Sequence, residues 1–126
     1  MRRIAFGMLA WALFLPPNVA AQDFQTGLIA AASGDYAAAL KEWRPLAAAG
    51  RADAQYQFGL MHRHGKGVKR DYAQAVSWFR KGAEQGLASS QFALGRMYVQ
   101  GRGIKKDYAK AVPWFRKAAA QGSAPA

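Results

Sequence analysis

Downstream of Asp71 the apolar side chains Tyr72, Ala75, Val76, Phe79 and Ala83 fall at i, i+3, i+4, i+7 and i+11, which is one continuous stripe along a helix. Asp71 offers a carboxylate for the N-cap, and Gly86 supplies a left-handed C-terminal stop. Upstream, Asp53 to about His64 carries Ala54, Phe58 and Met61 at helical spacing, and Gly65-Lys66-Gly67-Val68-Lys69-Arg70 reads as the loop between the two helices. Residues 23 to 33 read as a short first helix, so three helical pairs are predicted in all. Pro45 and Pro113 fall within second helices, where each deletes a backbone hydrogen bond and crowds the preceding turn; kinks are expected there. Ser123-Ala124-Pro125-Ala126 reads as a frayed, disordered tail.

The pattern repeats. Asp35-Tyr36, Asp71-Tyr72 and Asp107-Tyr108 are spaced by 36 residues, as are Gly50, Gly86 and Gly122. Residues 51–86 laid over 87–122 without a gap are identical at 19 of 36 positions, too many for chance, so each period is one structural unit. Gly59 and Gly95 occupy the same place inside a helix, where glycine costs about 1 kcal/mol relative to alanine. Their recurrence predicts a close approach by a neighbouring helix.

Ala54-Gln55-Tyr56-Gln57-Phe58-Gly59-Leu60-Met61, Gly65-Lys66-Gly67-Val68, Asp71-Tyr72-Ala73-Gln74-Ala75-Val76-Ser77-Trp78-Phe79 and Ala83-Glu84-Gln85-Gly86 together resemble a Sel1-like repeat, a bacterial-rich relative of the tetratricopeptide repeat. Residues 87–122 resemble it again, with Tyr98 in the slot that His62 fills in the first copy. Residues 22–50 are a degenerate N-terminal pair: Glu42 stands where the later copies have Trp, and Pro45 where they have Lys81 and Lys117. The resemblance implies an all-α, right-handed stack of antiparallel helix pairs whose function is binding. It also implies that the first helix of each pair lines the concave face. On that match Leu60, Arg63, His64, Arg96, Val99 and Gln100 turn toward a groove suited to an extended peptide or a partner helix. Tyr56 and Phe92 border it in packing roles. A repeat of this kind cannot bury its stripe alone, so Tyr72, Trp78, Phe79, Tyr108, Trp114 and Phe115 are read as packing residues.

The N-terminus has a different character. Arg2 and Arg3, an uncharged run from Ile4 to Leu15, then Pro16, Pro17 and Asn18 before Val19-Ala20-Ala21 are laid out as a secretory signal peptide over 1–21, cut before Gln22. Twelve apolar residues are too few for a membrane span, which needs roughly 20. The expected location is therefore the periplasm or the exterior. Removing the segment takes two of the 18 basic residues and none of the seven acids, leaving 16 − 7 = +9 on 105 residues. Export turns the expected polyanion away from nucleic acid and toward an acidic protein face, an anionic polysaccharide, peptidoglycan or lipid headgroups.

The basic residues are not scattered. Lys66, Lys69 and Arg70 in one loop recur as Arg102, Lys105 and Lys106 in the next, and stacking equivalent loops on one edge predicts a basic ridge. Such a ridge either binds an anionic envelope polymer or lipid surface, or serves only for solubility.

Chemistry beyond binding finds little support. With no cysteine there is no disulfide framework, thiolate zinc site or cysteine nucleophile. His62 and His64, at i and i+2, point apart on a helix without a third ligand nearby, so neither metal nor cofactor is expected. The serines lack a nucleophile motif, Gly65-Lys66-Gly67 does not continue into a phosphate loop, and Asp35, Asp71 and Asp107 are claimed as caps. The reading is a non-enzymatic adaptor with an unidentified protein partner. A homodimer through the C-terminal helix is a further expectation, because that helix has no following pair to cover it.

Overall fold

The computed structural model describes residues 19–122, with side chains from Asp23 onward; the predicted signal segment before residue 19 and the tail 123–126 lie outside them. Among the described residues there are six helices and no strand: α1 (Val19–Ala32), α2 (Tyr36–Ala48), α3 (Ala52–His64), α4 (Tyr72–Glu84), α5 (Ala88–Gln100) and α6 (Tyr108–Ala120). Each helix packs chiefly on its neighbours in sequence, the layout of a stacked helical repeat. No helix among them is long and apolar enough to cross a membrane. The first helix begins at Val19 rather than near residue 23, so the predicted cut before Gln22 falls within helical backbone.

The caps explain where the second helices start. Asp35, Asp71 and Asp107 each accept a hydrogen bond from the backbone N–H three residues on, at 3.1, 3.0 and 3.0 Å. At the end of α4 the Leu87 N–H donates to the Gly82 carbonyl and the Gly86 N–H to the Ala83 carbonyl, with Gly86 at φ +93°. That left-handed turn satisfies carbonyls that the helix itself cannot. Pro45 and Pro113 sit inside helices that run on for their full 13 residues, so neither proline ends its helix.

Glycine and ring interlock within every pair. A Cβ added at Gly59 would meet Phe79 Cε1 at 2.5 Å, and one at Gly95 would meet Phe115 Cε1 at 2.6 Å. Gly27 stands in the same relation to the Trp43 indole, whose Nε1 donates to the Phe24 carbonyl at 3.2 Å. The predicted close approach is therefore real, and it includes a third pair. The core lies in two blocks: Phe24, Leu40, Trp43, Leu46, Phe58 and Met61 between α1, α2 and α3, and Val76, Phe79, Leu94, Met97 and Tyr98 between α4 and α5.

Glutamines stitch successive pairs together. Gln55 Nε2 donates to the Ala47 carbonyl, while Gln85 Nε2 donates to Gln55 Oε1 at 2.8 Å and to the Gly50 carbonyl at 2.9 Å. One period on, Gln91 and Gln121 repeat the arrangement on Ala83 and Gly86. The buried amides thus have partners, which removes the desolvation cost of burying them.

The packing assignment of the aromatics holds with one exception. Phe79 is fully buried, and Tyr72, Trp78, Trp114 and Phe115 are partly so. Tyr108 is 59% exposed. Tyr72 is covered because the Gly103 loop of the next pair lies against its backbone; no such loop follows α6 among the described residues. Val112 shows the same loss, at 42% exposure against 6% for its counterpart Val76.

Candidate functional site

The six groove residues come from α3 and α5. Leu60, Arg63 and His64 lie in the last two turns of α3, and Arg96, Val99 and Gln100 in the last two turns of α5. Tyr56 and Leu60 of α3 and Val99 of α5 pack against the same core block, which contains Phe79, Leu94 and Met97. Leu60 and Val99 are half-buried, whereas His64, Arg96 and Gln100 are exposed.

Beside Leu60 a pocket of about 120 Å³ opens between α3 and the preceding pair, α1 and α2, with no wall from α5. Leu60, Met61, Trp43, Tyr36 and Ala31 wall it, with Gln57, His64 and Lys66 at its polar edge. Its volume is well below the roughly 300–1,000 Å³ of small-molecule sites. It has room for a side chain.

The surface shared by α3 and α5 is cationic. Burial lowers the Arg63 guanidinium below the ordinary arginine range, and Arg96 and Arg102 add repulsion; Tyr56 and Tyr72 act in the opposite sense. Burial likewise raises the Tyr56 phenol, with Arg63 and Arg96 pulling it back. His64 is lowered, first by burial and then by Arg63, Lys66 and Arg96. No carboxylate is among the groups acting on Arg63 or His64. The one ion pair among the described residues, Arg51 with Asp53 at 2.7 Å, lies at the opposite end of α3.

The six predicted ridge residues are all exposed and differ in their neighbours. Lys66 lines the pocket beside Leu60 with His64. Arg102 lies 5.2 Å from the Tyr72 ring centroid, and its Nη1 is 3.4 Å from the Tyr72 hydroxyl, on the side that Arg63 faces. Arg70 stacks on the same ring at 5.3 Å. Lys69, Lys105 and Lys106 are exposed, with Lys106 over Tyr108. Sequence reasoning placed Lys66 and Arg102 on the loop edge alone, and it did not find Tyr36, Trp43 and Gln57 as pocket walls. The available signal was the tyrosine after each cap aspartate, because the Gly67 loop packs on Tyr36 and the Gly103 loop on Tyr72.

The two histidines have different tasks. His62 Nδ1 lies 3.0 Å from the Phe58 carbonyl, an acceptor only, so this nitrogen carries the proton, and the ring meets Phe58 edge-on. In the next copy Tyr98 fills the slot and takes a hydrogen bond from Arg80 at 3.2 Å. His64 instead lines the pocket beside Leu60. No cluster of three or more metal-ligating side chains occurs among the described residues.

A family model for the Sel1 repeat matches residues 52–87 and 88–123. The chain belongs to the Sel1 repeat family. Among solved structures it is similar to a protective antigen present in uropathogenic Escherichia coli strains displaying an SLR fold, at 39% identity and a TM-score of 0.77 over 83% of this chain and 23% of that one. It is also similar to a Sel1 repeat protein from Oxalobacter formigenes, at 36% identity and a TM-score of 0.74 over 79% of this chain and 39% of that one. The chain thus spans well under half the length of either. A search of functionally curated proteins gave no match. Sel1 repeats are generally non-catalytic scaffolds for protein–protein interaction.

The depressed His64 yields a test of the groove's electrostatics. Its imidazolium is disfavoured in the folded chain, so below the ordinary value of about 6.5 the unfolded chain takes up the proton first. Through this group stability is complete above that value and falls as pH drops toward the folded one. In an NMR titration Arg63→Gln should return His64 part of the way to its ordinary value, the burial contribution remaining. An unchanged midpoint would show that Arg63 does not face it.

Proposed function

We propose that this Sel1 repeat protein is a non-enzymatic adaptor of the bacterial cell envelope, exported by residues 1–21 and binding a peptide or helix of a protein partner in the groove between α3 and α5. The half-buried Leu60 and Val99, set beside Arg63, Arg96 and Gln100, carry this reading, and the apolar pocket walled by α1, α2 and α3 continues the surface on the other flank of Leu60. A half-buried aliphatic rim next to cations and an amide is the make-up of a protein contact, since such contacts gain affinity from apolar anchors set in a polar rim. A second reading, favoured by the exposure of Lys69, Arg70, Lys105 and Lys106 along one edge, is adhesion to an anionic envelope polymer or lipid surface.

Leu60→Asp and Val99→Asp should each abolish binding of the partner recovered from an envelope extract, because each places an unpaired charge in a desolvated contact. Reversing Lys69, Arg70, Lys105 and Lys106 to Glu should mainly slow association, since rim charges steer encounter. If the ridge is the binding surface the order inverts, and modest salt removes binding by screening over a Debye length of about 8 Å. Circular dichroism on every variant separates lost binding from lost fold.

The uncovered face of α6, with Tyr108 and Val112, is the surface for a homodimer in this proposal. Sedimentation should show self-association that Val112→Glu removes. A monomer over a wide concentration range would rule the dimer out.

A further inference from the structure

Superposing the period on the groove reveals an exchange. Leu60 corresponds to Arg96 and Arg63 to Val99, so one helix reads apolar then cationic where its neighbour reads cationic then apolar. Leu60 and Val99 pack against the same core block and Arg63 feels the charge of Arg96, so the two helices present aliphatic and cationic positions in opposite order on one face. Lys66 and His64 extend the polar positions toward the apolar pocket, and Arg102 on Tyr72 extends them toward the next loop.

We propose that the groove selects an acidic segment of a partner protein in which carboxylate and apolar side chains alternate along one face, the carboxylates pairing with Arg63, Arg96 and Arg102 while an apolar side chain enters the pocket beside Leu60. This rests on the groove reading above and adds the chemistry of the occupant. Charge complementarity is the argument. The cap aspartates are turned to their helix starts and Asp53 to Arg51, and among the described residues no carboxylate is among the groups acting on Arg63. Guanidinium pairs with carboxylate in a two-pronged geometry that supplies direction as well as attraction. An anionic polysaccharide would satisfy the arginines but leave the walls of Leu60, Met61 and Trp43 without an apolar partner. A basic segment would add repulsion to cations already crowded together.

The test is selection from a display library of random peptides on the full chain, run in parallel on the double variant Arg63→Gln/Arg96→Gln and on Lys81→Gln/Lys117→Gln, whose cations lie over Trp78 and Trp114 on the second helices. Peptides selected by the parent and by the second variant should be enriched in Asp and Glu beside apolar residues, and the Arg63/Arg96 variant should lose the acids while keeping the apolar residues. The best parental peptide, made again with Gln for each Glu and Asn for each Asp, should bind the unmodified protein roughly tenfold more weakly, an effect independent of any variant's folding. Peptides enriched in apolar residues alone, still lost on Leu60→Asp, would overturn the acidic assignment and leave the groove reading intact. Acid enrichment that survives Arg63→Gln/Arg96→Gln but disappears on Lys69→Gln/Lys105→Gln would overturn both. Anionic phosphatidylglycerol vesicles that bind the chain and depend on Arg63 and Arg96 in the same way, with no peptide selected, would assign the cluster to lipid headgroups and overturn the inference.

Discussion

Phe79→Ala should lower stability by about 3–5 kcal/mol, a large part of what a domain of this size holds in reserve. Phe79 is fully buried, and its ring lies over Gly59 with the Tyr56 ring 5.9 Å away. Removal of the ring opens a cavity between α3 and α4 that the glycine cannot fill. Gly59→Ala in the parent should also destabilise, by about 1–3 kcal/mol, because the new methyl meets the ring at 2.5 Å and the ring has nowhere to move. The two costs should not add. With the ring gone, the methyl occupies vacated space and alanine recovers about 1 kcal/mol of helix propensity, so the double variant should be more stable than Phe79→Ala alone. Chemical denaturation of the four proteins checks this, with Phe79→Leu as the partner where the alanine variant populates too little folded protein. Additive losses would mean that glycine and ring are not in contact.

Gly103→Ala should be the more damaging of two equivalent loop substitutions, costing roughly 3 kcal/mol where Gly67→Ala costs about half as much. Both glycines have positive φ, +69° and +74°, so each alanine carries the left-handed penalty of about 1–2 kcal/mol. Their surroundings differ. A methyl at Gly67 meets Tyr36 Cβ at 2.9 Å and Leu40 Cδ1 at 3.0 Å, side chains that can shift. At Gly103 it meets the carbonyl group of Tyr72 and the Ala73 nitrogen, backbone at the N-terminal turn of α4 that can shift only by disturbing the cap at Asp71. Thermal melts of the two variants distinguish the cases, and equal losses would show that the loop yields as readily at both levels.

The fold was legible from periodicity because the apolar stripe, cap aspartates and glycine stops all recur together. The N-terminal pair was harder to read, for a physical reason. Three residues, 33–35, join α1 to α2, where seven, 65–71, join α3 to α4. The four-residue difference shortens the interval from 36 to 32 upstream of the cap, so Gly27 matches Gly59 only in the shorter register. Comparison at a fixed period hid the pairing of Gly27 with Trp43 and drew attention to Glu42 instead. Of the groove, the sequence supplied the helices and the six residues through the resemblance to known repeats. The approach of Lys66 and Arg102 depends on how each loop folds onto the preceding pair. Burial of Tyr108 needed a following repeat, which equal sequence at Tyr72 and Tyr108 does not reveal.

Amide chemical-shift mapping of the full chain with the best peptide selected by the parent protein tests most directly whether the face shared by α3 and α5 is the binding surface. The predicted result is that the largest changes fall at Leu60, Arg63, His64, Arg96, Val99 and Gln100. Changes centred on Lys69, Arg70, Lys105 and Lys106, with α3 and α5 unmoved, would contradict it.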